Sequence, residues 1–160
     1  ERVQRSVDLL TRLAEHLHTV GNDAHARQAA ADVLRYFDVA APHHHEDEER
    51  HVFPPLLALP ADTAHAAVHA AVRQLQQDHA LMHHLWQSLR GALERIANGQ
   101  EADFSHRDLN VLHRFTGLYG SHIALEEAVI YPAAKALMDP AGLAAMGGEM
   151  AGRRRTPLGA

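Results

Sequence analysis

Apolar residues recur at alternating steps of three and four along four stretches of the chain, the spacing that lines one face of a helix. The first stretch runs from about Glu1 to Thr19 with Val3, Val7, Leu10, Ala14 and Leu17 on one face, and Gly21-Asn22-Asp23 ends it. The second starts near Ala24 and closes around Leu59-Pro60. Its face reads Leu34, Phe37, Ala41, His44, Glu48, Val52 and Pro55, and Pro42 inside it predicts a kink. Asp62 or Thr63 can cap the third, whose face reads Val68, Val72, Leu75, His79, Met82, Trp86, Leu89, Leu93 and Ile96. After Asn98-Gly99, Asp103 or Ser105 can cap the fourth, with Leu112, Phe115, Tyr119, His122, Glu126, Ile130 and Ala133. A further short helix is expected from Pro140 to about Gly152, ahead of a tail. Short connections between long helices favour antiparallel neighbours. The expectation is all-α: an up-down-up-down antiparallel four-helix bundle over 1–138, with a short C-terminal helix and tail over 139–160.

Three of these apolar faces are interrupted by histidine, and counting places the interruptions. In an antiparallel pair, residues equally far from the connecting loop lie at one height, because each helix rises about 1.5 Å per residue. The midpoint between His79 and His122 falls in the Gly99-Gln100 loop, and that between His44 and His79 falls in the Pro60-Ala61-Asp62 loop. The three imidazoles are therefore expected level with one another. Buried polar groups left unsatisfied cost a few kcal/mol each, and a bound cation is the simplest way to satisfy three at once. Residues i and i+4 share a helix face, which adds Glu48 to His44, His83 to His79 and Glu126 to His122. Four imidazoles and two carboxylates, the latter able to bridge two ions, suit iron or manganese better than calcium, magnesium or copper. His45 also has a carboxylate at i+4, but it stands about 100° off the face that carries His44.

The same counting puts the first helix's matching position at about residue 0. A histidine ligand is thus expected immediately upstream of Glu1, with His16, His18 and His25 too near the loop to replace it. His43, His65, His69, His84, His106 and His113 are expected to face water, with His51 flanking the second helix. Tyr119 stands one turn before His122, as core or as a hydrogen-bond donor to the site, and Trp86 reads as core. Glu49 and Glu127 read as solvated or supporting groups. Glu48 with His51 forms a Glu-x-x-His pair, as in ferritin-like di-metal proteins, but the fourth helix supplies no matching pair.

Composition narrows the chemistry. The 160 residues contain 15 histidines and no cysteine, which excludes disulfides, thiolate zinc sites and iron–sulfur clusters. A formal net charge of -5 leaves no electrostatic footprint for nucleic acid; the one basic cluster, Arg153 to Arg155, is short. No apolar run reaches the roughly 20 residues that span a bilayer, and no signal-peptide pattern opens the chain. The expected setting is cytoplasmic, with neither nucleic acid nor membrane as partner, and the sequence carries no signal of oligomeric state.

The run from His44 through Pro54, His-His-Glu-Asp-Glu-Glu-Arg-His-Val-Phe-Pro, resembles the HHxxEExxxFP motif of the hemerythrin-like, or HHE cation-binding, family. A second copy stands at His122 to Pro132, with Asp78-His79 and Trp86 between the two, and the resemblance extends to the Met150 to Arg154 ending. It implies metal ligation by His44, Glu48, His79, His122 and Glu126, with His83 as the second histidine of the third helix. The implied cofactor is two non-haem iron ions, carboxylate- and oxo- or hydroxo-bridged. The final carboxylate, Glu126, stands at i+4 from His122, where oxygen-carrying hemerythrins use an Asp one residue further on, a departure that points away from pure oxygen storage. The function implied is binding or sensing of oxygen, nitric oxide or redox state, with a small diatomic ligand or peroxide as partner. The alternatives are an enzyme disproportionating peroxide at the same centre, and an iron-handling or stress-response protein.

Overall fold

A computed structural model describes residues 2–137 and residue 144 of the chain. Apart from Ala144, the expected C-terminal helix and tail lie outside the described residues. Among these the chain is all-helical, arranged as four long helical stretches. The first is α1 (Arg2–Thr19), and the second opens with α2 (Ala24–Arg35) and continues through α3 (Ala41–Asp47) and α4 (Phe53–Leu57). The third is α5 (Ala66–Ala97), and the fourth is α6 (His106–Leu125) followed by α7 (Tyr131–Leu137). No helix among the described residues is long and apolar enough to cross a membrane.

The helix ends follow from local chemistry. Gly21, at φ +98°, and Gly99, at φ +70°, supply the left-handed turns that end α1 and α5, a conformation that a Cβ disfavours. Asp23 caps α2, its side chain accepting from the Ala26 amide at 2.8 Å. At α6, Ser105 is the cap: its hydroxyl oxygen accepts from the Asp108 amide at 3.1 Å while Asp108 accepts from the Ser105 amide at 3.1 Å. Asp62 caps a turn ahead of α5, accepting from the His65 amide at 3.0 Å.

The second and fourth stretches are not plain α-helices. Three π-helical segments interrupt them, Tyr36–Ala40, Glu48–Val52 and Glu126–Ile130, each closed by an i→i+5 bond, to the carbonyls of Tyr36, Glu48 and Glu126. Each ends two residues before a proline: Pro42, Pro54 and Pro132. Inside an α-helix, a proline lacks the amide for the i−4 carbonyl and its ring clashes with that carbonyl. Those carbonyls belong to Asp38, Arg50 and Ala128, each in the middle of a π segment, where the wider turn relieves the clash. The kink expected at Pro42 is thus accommodated by a π turn just upstream.

A π turn inserts one residue into the helical repeat, so the buried face steps on by one. Counting at the α-helical repeat predicted Val52 and Pro55 after Glu48, and Ile130 and Ala133 after Glu126. The buried residues are Val52, Phe53 and Leu56 in one case, Ile130 and Ala134 in the other.

The chain divides into two compact units. One comprises Glu1–Pro42 and Gln77–Ile123. Its core is built from Leu10, Leu13 and Leu17 of α1, Ala30 and Val33 of α2, and Leu89, Leu93 and Ile96 of α5. Phe37 packs on Trp86 and Phe115, with ring centroids 5.1 and 5.0 Å away. The Trp86 indole donates to Asp38 at 2.9 Å, and Arg90 donates to the same carboxylate at 3.0 Å. The Asn22 amide donates to the Ile96 and Glu101 carbonyls, tying the α1–α2 turn to the end of α5 and the loop that follows it. The other unit, His43–Gln76 with Ala124–Ala160, has its own apolar cluster of Phe53, Leu56, Val72, Leu75 and Ile130.

Candidate metal centre

In the second unit, two carboxylates that sequence counting singled out are buried together. Glu48 and Glu126 each open a π segment and are each only 2% exposed. His44, one turn before Glu48 and half-buried, holds its Nε2 3.5 Å from the Glu48 carboxylate. His44, Glu48 and Glu126 each offer a ligand atom, and these atoms lie within 4.8 Å of one another. Burial pushes the Glu48 carboxyl up to about 10, helped by the hydrogen bond and negative charge of Glu126 and by the charges of Glu49 and Asp47. Such a carboxyl prefers to be neutral unless a cation joins it, which is the electrostatic signature of a cation site. Above the pair, the Tyr131 hydroxyl donates to Glu126 Oε2 at 3.0 Å. Glu49 accepts from the Gln76 side chain at 2.9 Å, the supporting role read for it in sequence.

In the first unit, His79 of α5 and His122 of α6 face each other, with ring centroids 4.9 Å apart and both residues buried. Asp78, also buried, places Oδ2 3.4 Å from His122 Nδ1. A carboxylate at Nδ1 favours the tautomer that carries its proton there and fixes the ring's orientation. Tyr119 belongs to the aromatic core, packing on Phe115 and, edge-on, against His122 with ring centroids 6.4 Å apart.

His83 is placed outside both groups. Its ring is exposed and meets the Gln87 side chain at 2.9 Å. The reason is helical phase: α5 stays regular here, and the buried position following His79 is Met82, three residues on. Asp78, Asp47 and Tyr131 are buried or site-facing groups that sequence counting did not pick out. Asp78 and Asp47 immediately precede or adjoin candidate ligands, which is the signal that carries them. Tyr131 lies five residues beyond Glu126, a spacing that counts only once the π turn is known.

Comparison with known proteins agrees with this geometry. The sequence profile of the Hemerythrin HHE cation binding domain matches residues 4–134. The chain belongs to the hemerythrin HHE cation-binding family. An uncharacterized protein of Haemophilus influenzae (strain Rd) is 30% identical over 154 residues, which is 96% of this chain and 84% of that protein. Both copies of the HHE motif and both buried glutamates fall inside the matched region.

Proposed function

We propose that this HHE protein is a cytoplasmic non-haem di-iron protein, folded as an up-down-up-down antiparallel bundle, that binds or senses oxygen, nitric oxide or redox state. The observation that carries the reading is the buried pair Glu48 and Glu126 with His44 beside it, in a chain of a cation-binding family. His44, Glu48 and Glu126 can together hold a cation, and His79 and His122 face each other as further imidazole donors. The proposed iron ligands are His44, Glu48, His79, His122 and Glu126, and the exposed His83 is not among them. Mixed imidazole and carboxylate donors without sulfur fit iron. When bound, an iron pair supplies one-electron redox chemistry and a position for a small ligand.

The chain's own residues prepare the site. Glu48 is held neutral by its surroundings and gives up its proton as the cation arrives, so uptake releases a proton. Asp78 orients the His122 imidazole. Tyr119, itself packed on Phe115, lies edge-on against His122 and covers that side of the imidazole.

The test is elemental analysis of protein isolated without added metal, followed by anaerobic reduction and separate addition of air, nitric oxide and peroxide. Two irons per chain and a distinct spectrum with oxygen or nitric oxide are expected. Protein that takes up no iron overturns the reading. Catalytic oxygen release from peroxide replaces binding with peroxide disproportionation, and rapid loss of the iron to a chelator replaces it with iron handling.

A further inference from the structure

The two copies of the HHE motif are built alike and differ at one atom that matters. In each, a glutamate opens a π segment, and the residue five positions on, which closes the i→i+5 bond, is aromatic and precedes a proline. In a regular α-helix a residue five along stands about 140° round the barrel from the first. The π turn brings it back over the first residue instead. In the first copy the residue over Glu48 is Phe53, fully buried in the apolar cluster. In the second copy the residue over Glu126 is Tyr131, whose hydroxyl donates to Glu126 Oε2 at 3.0 Å while the residue stays 42% exposed.

We propose that Tyr131 is a positioning residue that, by its hydrogen bond to Oε2, fixes how the Glu126 carboxylate faces the cation, a role that Phe53 cannot play for Glu48. The inference rests on the metal-binding reading of the site and adds to it a residue and a division of labour between the carboxylates. Partners that orient a metal ligand in this way typically contribute about 10- to 100-fold to metal affinity.

The experiment compares full-length wild type, Tyr131→Phe and Phe53→Tyr by anaerobic Fe(II) competition with a chelator, by carboxylate infrared bands of the iron-loaded protein, and by melting of the metal-free protein. Tyr131→Phe should weaken one of two ions by about tenfold or more, shift one carboxylate band, and leave the metal-free melting temperature close to wild type. Phe53→Tyr should leave the Tyr131-dependent band in place. Wild-type affinity and bands in Tyr131→Phe overturn this inference alone, as does an affinity loss matched by lower metal-free stability with unshifted bands. Wild type that takes up no iron overturns the reading of the site itself, and this inference with it.

Discussion

His79 and His83 are neighbours by the i,i+4 rule, yet one is buried against His122 and the other is in water. Replacing them separately therefore has opposite expected outcomes. His79→Ala should lose at least one of two bound irons, and His83→Ala should retain both, measured by elemental analysis of protein purified in parallel. Iron content unchanged by His79→Ala sinks the ligand assignment. At this scale much of the site was legible. Histidine and glutamate breaking an apolar face are conspicuous because burial of an ionisable group is expensive. Asp78 was less legible, since it stands beside His79 on its own helix and reaches a histidine 44 residues further on, a contact that no local pattern encodes. Tyr131 was hidden for another reason: in α-helical counting it points away from Glu126.

Elements are where the sequence reading gained most and where it slipped. The four helical stretches follow from apolar spacing, and their ends from Gly21, Asp23, Gly99 and Ser105, each acting through local bonds. Asp23 makes this testable. The Ala26 amide, and with it His16, holds the Asp23 carboxyl below its ordinary range, and His16 Nε2 lies 3.1 Å from it. Asp23→Ala should destabilise the protein by about 1 kcal/mol in denaturant unfolding, whereas Asp23→Asn, which keeps an accepting oxygen, should cost much less. Equal losses in both variants argue that the cap bond is not what matters there. The slip came at the π segments. A repeat of 3.6 residues is built into any apolar-face count, so a single inserted residue moves every later assignment, and Pro55 and Ala133 were expected where Leu56 and Ala134 are buried. The prolines were visible in sequence, but a proline announces a disturbance without saying whether the helix breaks, bends or widens.

For the whole molecule, the buried carboxylates couple folding to pH and to metal. Glu48 has its carboxyl raised from 4.5 to about 10 in the folded, metal-free protein, so across that window the folded state holds more protons than the unfolded one. Stability therefore falls as pH rises through it, by up to about 1.4 kcal/mol per pH unit for one proton. The metal-free protein should melt higher at about pH 5.5 than at about pH 8, and iron should raise the melting temperature most at the higher pH, where displacing the Glu48 proton costs less. Scanning calorimetry at the two pH values, with and without Fe(II) under anaerobic conditions, checks both signs. A metal-free protein that melts higher at the alkaline value contradicts the buried neutral carboxyl.

The pairing of each π segment with a proline has a dynamic consequence. An extra residue in a helix can migrate, because the chain exchanges one i→i+5 bond for an i→i+4 bond and passes the defect to the next turn. Migration towards the C-terminus needs an amide hydrogen at every step, and Pro54 and Pro132 have none. The defect is therefore stopped like a ratchet against a pawl, and each proline locks the rotational phase of the glutamate six residues before it.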